Sequence, residues 1–305
     1  MRRFTSLSMS VVATSLLLTG TAQTLQAQAN LSNAVALWNF DSLNDANGAN
    51  SVLTIVDKPD GVLGTIGTGV LGNGFWANEG PGSDDVYANQ RTGTDRVGTW
   101  FDAGQGAGNE LQITGAHTMI WRGEFKDTSI TGYLWSKYDH NVGPNAIKNR
   151  TAYLRYEPGG HLRYVVDDGD GGASSEEVFL SSEVTTGGNK YEIASVFDPA
   201  NDTISIYGLN PKTRAVLFQG QNTNVTFNTI PMNLPVPFTM GDRVAWSGSD
   251  WESVGSSGTK VDSEMFAVFD AAFSLSDIQN MVVPEPSSIV LAVLGCWLVV
   301  RRRQS

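Results

Sequence analysis

Short runs of strand-forming residues recur along almost the whole chain, and clusters of Gly, Asn, Asp and Pro separate them. Such short apolar or alternating runs between turn residues are typical of β-strands, not of helices with a 3.6-residue period. The pattern restricts the chain to an all-β fold, and many short strands without long helices indicate a sandwich or jelly roll. The strand candidates are residues 34–41, 52–56, 98–102, 118–125, 133–138, 151–157, 161–167, 191–198, 203–208, 215–220 and 264–270.

Two local patterns refine this prediction. In "RTAYLRYEPGGHLRYVVDD" the turn residues Pro158-Gly159-Gly160 join two strand-like runs, which is typical of a β-hairpin. The one helical candidate is "SLSDIQNM" at residues 274–281. There Ser274 is placed to cap the first turn, with an acid three residues later. By contrast, the Gly-rich stretch "GTGVLGNGFWANEGPGSDD" is expected to be a long loop.

The last strand candidate, "EMFAVFD" at residues 264–270, is apolar on both faces. Period-2 alternation places Met265, Ala267 and Phe269 on one face and Phe266 and Val268 on the other. A strand with two apolar faces is expected at an inner position of a two-layer sandwich.

The N-terminal segment has the order of features found in export signals. Arg2 and Arg3 precede a mostly apolar stretch at residues 7–18, and Ala27-Gln28-Ala29 forms an A-x-A cleavage pattern. Residues 1–29 are therefore expected to be a secretory signal peptide.

The C-terminal segment, residues 283–305, combines Pro284-Glu285-Pro286, an apolar run at residues 287–300, and the basic cluster Arg301, Arg302 and Arg303. The apolar run would span roughly 21 Å as a helix, which is less than the roughly 30 Å of the hydrocarbon core. We expect a short transmembrane helix that holds the chain temporarily, with its arginines on the cytoplasmic side.

This tail resembles the PEP-CTERM sorting signal of Gram-negative bacteria. The resemblance implies an exosortase-type enzyme as a partner and processing near the Pro-Glu-Pro motif. It also implies transient holding in the inner membrane and delivery to the cell envelope, the outer surface or the extracellular matrix. An ordinary C-terminal membrane anchor that happens to contain Pro-Glu-Pro remains the alternative.

The segment between the two signals, residues 30–282, has the length of one large β domain or two small ones, and we expect one domain because the segment shows no internal repeat and no boundary linker. Five of the 20 Lys and Arg and one of the 31 acidic residues lie in the signals. The body therefore carries 15 basic and 30 acidic side chains, a net charge of −15. Such a surface repels the phosphate backbone, which excludes nucleic acid as a partner. Because the single cysteine, Cys296, lies in the tail, the body is expected to have no disulfide, so core burial, with bound metal as a second source, must stabilise it.

Seven segments taken in chain order resemble the LamG-like jelly roll of the concanavalin A-like lectin/glucanase superfamily. The resemblance implies a two-sheet antiparallel sandwich with one short C-terminal helix. The sequence departs from the family pattern at Glu192, where a histidine is frequent, and after Tyr207, where the family's turn motif is missing. The segments are "AVALWNFDSLNDANGAN", "HTMIWRGEF", "YLWSKYD", "RTAYLRYEPGGHLRYVVDDGD", "KYEIASVFDPANDTISIYG", "PFTMGDR" and "SEMFAVFDAAFSLSDIQNM".

No motif predicts catalysis. The β-glucanases of this superfamily carry Glu-x-Asp-x-Glu or Glu-x-Asp-x-x-Glu on one strand, and neither string is present. His117, His140 and His161 have no metal-binding spacing, and there is no G-x-S-x-G nucleophile motif. We expect a non-catalytic protein. A carbohydrate-active enzyme with an unrecognised active site is the alternative.

Two acidic loops are candidate calcium sites, because hard cations prefer clustered oxygen ligands. "VDDGDGG" contains Asp167, Asp168 and Asp170, and "FDSLNDANG" contains Asp41 and Asp45. The LamG-like resemblance also implies calcium at one rim of the sandwich. The alternative is that these acids are ordinary turn residues that bind no ion.

Three tryptophans in Gly-, Ser- and Asp-rich stretches are candidate ligand-binding residues: Trp76, Trp246 and Trp251. An exposed aromatic ring can stack on the apolar face of a sugar, although such a residue can also fill a gap under a loop. Trp38 and Trp121 lie in strand patterns and are expected in the core. Together these features predict an exported binding or matrix protein whose candidate partner is an extracellular polysaccharide or a matrix protein. A purely structural matrix component stays open.

Overall fold

The computed structural model describes residues 30–39, 54–58, 65–68, 74–78, 98–102, 111–129, 131–138, 150–169, 175–182, 184–230, 232, 236, 238–241, 244–246, 251–253 and 261–281. After a 3₁₀ turn at Leu31–Asn33, the described residues form seventeen strands and one short helix. The helix, α1, is Leu275–Gln279. The strands are β1 Ala36–Trp38, β2 Thr54–Lys58, β3 Thr65–Thr68, β4 Gly74–Asn78, β5 Gly98–Asp102, β6 His117–Phe125, β7 Gly132–Tyr138, β8 Arg150–Glu157, β9 His161–Asp167, β10 Ser175–Leu180, β11 Lys190–Asp198, β12 Thr203–Leu209, β13 Val216–Asn222, β14 Thr239–Met240, β15 Val244–Trp246, β16 Trp251–Ser253 and β17 Val261–Phe269.

The strands form two large antiparallel sheets and a separate hairpin. Sheet 1 has the order β13-β12-β11-β6-β17-β4-β3, with β1 also paired to β17. Sheet 2 has the order β10-β9-β8-β7-β14-β5-β2, and β15 pairs with β16. Many neighbours in these sheets are distant in sequence, as in a jelly roll. The predicted all-β, two-sheet antiparallel sandwich with one short C-terminal helix is confirmed.

Each strand candidate from the sequence has a counterpart in the structure, but the expected long loop "GTGVLGNGFWANEGPGSDD" is wrong at its centre. It contains β4, which pairs on one side with β3 and on the other with β17. Backbone pairing with two neighbours supplies the hydrogen bonds that stabilise this strand within a glycine-rich stretch, and these partners are not evident from its own residues.

The core lies between the two sheets and is rich in aromatic side chains. Trp38 and Trp121 are fully buried, which confirms them as core residues. From sheet 2, Trp135 stacks on Phe238 with ring centroids 5.8 Å apart. In turn, Phe238 lies 5.7 Å from Phe266 of sheet 1. The rings join the two sheets through a continuous apolar layer.

Strand β17 confirms the predicted two-faced burial. Phe266 and Val268 lie in the core between the sheets. Met265, Ala267 and Phe269 lie in a second apolar cluster on the outer face of sheet 1. The strand occupies an inner position, since it pairs with β6, β4 and β1.

Helix α1 covers this outer cluster. Ser274 caps it: the Ser274 hydroxyl accepts from the backbone N–H of Asp277, whose side chain accepts from the backbone N–H of Ser274. Ile278 is buried against sheet 1. The predicted helix is confirmed, with bounds one or two residues shorter than the candidate segment.

The hairpin between β8 and β9 also forms as predicted. Gly159 and Gly160 have φ values of 88° and 74°, which glycine adopts without a steric penalty.

Among the described residues, no helix is both long and apolar enough to cross a membrane. The predicted signal peptide at residues 1–29 and the tail at residues 283–305 lie outside the described residues.

Candidate functional site

A groove of about 500 Å³ opens at one end of sheet 1, where β11 begins and β12 ends. This surface is referred to as the groove. Its size lies within the range of small-molecule binding sites. It is lined by Val184, Asn189, Lys190, Tyr191, Asn210, Pro211, Lys212, Leu217 and Glu264.

The turn between β12 and β13 forms one wall of the groove. Asn210 fixes its shape, because the side-chain Oδ1 accepts hydrogen bonds from the backbone N–H groups of Lys212 and Thr213, both at 3.0 Å. The backbone N–H of Arg214 donates to the carbonyl oxygen of Asn210 at 2.9 Å. With Oδ1 occupied in this way, no described residue accepts from the Asn210 side-chain N–H₂ group, which remains a donor for a ligand.

Asn189 offers a hydrogen-bond acceptor to the same groove. Its Nδ2 donates to the hydroxyl of Thr186 at 2.9 Å, so its orientation is fixed and its Oδ1 is an acceptor without a described partner. The groove thus has an oriented donor and an oriented acceptor on two different loops.

An ion pair forms the polar floor. The Lys190 ammonium lies 2.7 Å from Oε1 of Glu264 and 3.5 Å from Oε2 of Glu124. Burial acts to raise the pKa of Glu124, but Lys126 and Lys190 outweigh it, so the pKa of that carboxyl lies below its usual value.

Leu217 provides an apolar surface beside this floor. The register of β12 and β13 changes from Gly208 opposite Phe218 to Leu209 opposite Val216, so Leu217 is the extra residue of a β-bulge. A bulge redirects a side chain out of the regular alternation. The Leu217 side chain is 49% exposed, an unusual value for leucine.

Behind the groove wall lies a buried charge network that holds the turn in place. Glu192 is fully buried; its Oε2 accepts from Nε and Nη2 of Arg122 at 3.1 and 2.5 Å. Its Oε1 lies 2.6 Å from Nη1 of Arg214, an ion pair without hydrogen-bond geometry. Burial acts to raise the pKa of Glu192, but the two guanidinium groups outweigh burial, so its pKa is lowered.

Arg214 also connects the turn to the C-terminal helix. Its Nη2 donates to the carbonyl oxygen of Ile278, and its Nε donates to that of Gln279 at 3.4 Å. In return, Nε2 of Gln279 donates to the Arg214 carbonyl oxygen at 3.3 Å. Glu192, noted in the sequence as a departure from the LamG-like pattern, therefore has a structural role: it anchors the arginine that joins this wall to α1.

The groove residues were missed by sequence reasoning. Asn, Lys and Glu residues are common in a protein of this composition, and those of the groove converge only through pairing between strands. The one signal available was the departure at Glu192, two residues after Lys190.

The first predicted calcium loop is described in part. Asp167 is buried at the end of β9, and its Oδ1 accepts from the backbone N–H of Gly169 at 2.9 Å. Asp168 follows it, while Asp170 and the second loop, with Asp41 and Asp45, lie outside the described residues. In the described part of the chain, no three His, Cys, Asp or Glu side chains are grouped as metal ligands. Both calcium sites stay predictions.

The three candidate tryptophans lie on strands, although the stretch around Trp76 was expected to be a loop. Trp246 and Trp251 are directly opposite each other in the β15–β16 hairpin. Trp76 lies in β4, opposite Ile66 and Ser263. Their side chains are outside the described residues, so their ligand-binding role stays a prediction.

The sorting residues also stay predictions. Pro284, Glu285, Pro286, Arg301, Arg302 and Arg303 all lie outside the described residues.

Comparison with known proteins gives neither a matching family model nor a matching curated protein. Among solved structures, the chain is similar to the Ruminococcus gnavus IT-sialidase CBM40 bound to α2,3-sialyllactose, with 11% identity, a TM-score of 0.45, and coverage of 60% of this chain and 91% of that one. It is also similar to the binding domain of botulinum neurotoxin DC in complex with SialylT, with 7% identity, a TM-score of 0.49, and coverage of 82% and 51%. The botulinum neurotoxin serotype C1 binding domain gives 9% identity, a TM-score of 0.49, and coverage of 82% and 52%. The chain spans about half the length of these two botulinum structures.

Proposed function

We propose that this chain is an exported, non-catalytic carbohydrate-binding protein of the cell envelope or extracellular matrix. The observation that carries the proposal is the groove, in which oriented hydrogen-bonding groups lie beside an exposed leucine. Sugars present hydroxyl groups around a ring that has apolar C–H faces, and their binding sites combine both types of contact.

The polar groups of the groove match the needs of sugar hydroxyls. Each hydroxyl can donate and accept, so it can pair with the Asn210 amide donor or the Asn189 carbonyl acceptor. Because internal hydrogen bonds already fix both side chains, little conformational entropy is lost when a ligand binds. Leu217 supplies a surface for a C–H face of the ring.

The acidic side chains in and beside the groove favour sugar binding over glycoside hydrolysis. A retaining glycosidase needs two carboxyl groups roughly 5–5.5 Å apart, one as nucleophile and one as acid. Glu264 is the one acidic residue in the groove lining, and it is paired with Lys190 at 2.7 Å. Glu124 lies outside the lining, 3.5 Å from the same ammonium, and its lowered pKa does not suit a general acid. This supports a binding role for the groove.

A pair of matched variants tests the binding proposal. Leu217→Ser removes an apolar side chain that lines the groove, and Val216→Ser removes its neighbour, which is 38% exposed and not part of the lining. We expect Leu217→Ser to weaken binding to a soluble polysaccharide about tenfold, a change of roughly 1.4 kcal/mol, and Val216→Ser to leave it unchanged.

Affinity gel electrophoresis against a panel of neutral and acidic polysaccharides would measure this effect. Binding to no member of the panel, or equal effects of the two variants, would contradict the proposed site. Release of reducing ends from a bound polysaccharide would contradict the non-catalytic part and favour the enzyme alternative.

The proposed location rests on the two terminal signals and has its own test. Replacing Pro284, Glu285 and Pro286 with alanine should leave export intact but block processing by the exosortase-type enzyme. The uncleaved chain should then accumulate in the inner membrane, as detected by immunoblotting of membrane fractions. Normal maturation of this variant would remove the sorting proposal and leave the binding proposal untouched.

A further inference from the structure

We propose that the groove binds an acidic polysaccharide and that the Lys212 ammonium and the Asn210 amide together hold a sugar carboxylate. This inference rests on the carbohydrate-binding function proposed above and specifies its ligand class. It is based on the charges and hydrogen bonds of the described residues.

Lys212 differs from the other Lys and Arg residues whose side chains the structure describes. Six of them form ion pairs with acids at 3.0 Å or less, and Lys137 donates to the Val236 carbonyl oxygen at 2.8 Å. Arg150 lies 5.3 Å from the centre of the Tyr138 ring. In the described part of the chain, the Lys212 side chain has no acidic, carbonyl or aromatic partner. The six paired cations are Arg122, Lys126, Arg155, Arg163, Lys190 and Arg214.

The wall that carries Lys212 uses its other cation for folding. Arg214 is held by Glu192 and by the carbonyl oxygens at the end of α1. Lys212 is exposed and contributes only its backbone N–H to the turn. Stability therefore does not require its ammonium, which remains available to a ligand.

Asn210 completes a two-donor arrangement on the same turn. Its Oδ1 is occupied by the backbone N–H of Lys212, so the side-chain amide and the ammonium are donors that belong to one fixed loop. A carboxylate has two acceptor oxygens and forms stronger hydrogen bonds with charged donors than a hydroxyl does. Two donors at one wall of a sugar-sized groove suit a uronic-acid type of sugar.

The charge balance of the groove favours the same ligand. Among the lining residues, Lys190 and Glu264 neutralise each other and Lys212 adds one positive charge, in a chain of net charge −11. Glu124, which lies 3.5 Å from Lys190, is outside the lining and is itself paired with Lys126 at 2.7 Å. At physiological salt the Debye length is about 8 Å, so more distant acids of the protein are largely screened from a bound carboxylate. A nucleic acid, with a phosphate at every nucleotide, would need several such cations.

Binding to two uronate polymers, polygalacturonate and alginate, tests the inference, with the carboxyl-reduced form of each polymer as its neutral counterpart. The purified protein should bind at least one uronate polymer about tenfold more tightly than its reduced form. Lys212→Gln should abolish that preference, and Lys212→Arg should retain it. Arg163→Gln serves as the control for a lost positive charge, because Arg163 is partly exposed on β9 of sheet 2 and lies outside the groove lining and its ion pairs.

The outcomes separate this inference from the proposed function. Equal binding of the uronate and reduced polymers, with no effect of Lys212→Gln, would overturn the inference and leave carbohydrate binding standing. Equal losses from Lys212→Gln and Arg163→Gln would indicate non-specific charge attraction and would also overturn it. Failure to bind both uronate polymers while binding a neutral polysaccharide would refute the ligand class, and failure to bind any polysaccharide would refute both proposals.

Discussion

Acidification from pH 7 to pH 5 should destabilise the fold through one residue, His117, at the start of β6. Its ring is fully buried between the sheets, 5.6 Å from the ring of Phe197. Nδ1 lies 3.1 Å from the carbonyl oxygen of Gly115, so Nδ1 carries the proton and donates. Nε2 then accepts from the Tyr164 hydroxyl at 3.2 Å. Burial lowers the pKa of His117 to about 4, and the Gly115 carbonyl opposes this only in part.

The sign and size of this destabilisation follow from the difference between the pKa of His117 in the folded chain and its pKa in the unfolded chain. In the unfolded chain a histidine has a pKa of about 6.5, so the unfolded state binds a proton while native His117 remains neutral. The stabilisation is therefore present above pH 6.5 and is lost as the pH falls toward 4. Between pH 7 and pH 5 the free energy of unfolding should fall by about 2 kcal/mol, before most carboxylates begin to titrate.

Urea denaturation at pH 7, 6 and 5 would measure this loss. In His117→Gln the pH dependence over this range should nearly disappear, although the variant is less stable at every pH. His161→Gln is the control, since His161 lies partly exposed in the β8–β9 hairpin and its variant should keep the pH dependence of the natural protein. An equal pH dependence in His117→Gln and the natural protein, or an NMR titration of His117 with a midpoint near 6.5, would refute the reasoning.

Three further predictions concern the network, the core and calcium. Glu192→Gln should lower the free energy of unfolding, measured by urea denaturation, by about 3–5 kcal/mol, because it leaves Arg122 buried without its counter-charge. Replacing both residues by apolar ones should cause a smaller loss, which would support this cause. An unchanged urea midpoint for Glu192→Gln would contradict it. Phe266→Ala should lower the free energy of unfolding by about 3–5 kcal/mol, whereas Leu217→Ala should lower it by less than about 0.5 kcal/mol. Equal losses would contradict the placement of β17 in the core. If calcium binds the Asp168 loop, a chelator should lower the melting temperature of the natural protein but not of Asp168→Ala, since an ion at about 100 times its dissociation constant adds about 2.7 kcal/mol. A melting curve that the chelator does not change would remove that site.

Local patterns in the sequence were sufficient to predict the fold class and the positions of several strands and of the helix. The two apolar faces of β17 specified its inner position, since such a strand must be covered on both sides. Ser274 and Asp277 specified the start of α1, because a capping box forms between residues three apart. Strands β3, β4, β10, β14, β15 and β16 were not among the strand candidates. Val178 is the one buried residue of β10, so its own pattern shows little of the alternation that marks a half-buried strand.

Only the tertiary structure brought the candidate site together. Glu192 and Arg122 are 70 positions apart in sequence but directly opposite each other in the pairing of β11 with β6. Lys190 and Glu264 are 74 positions apart, and their side chains meet across β6, which lies between β11 and β17. The sequence determined that the chain forms a two-sheet sandwich, because burial periodicity is a property of neighbouring residues. It could not determine which polar side chains meet in the groove, because their contacts depend on strand order and register across the whole sheet.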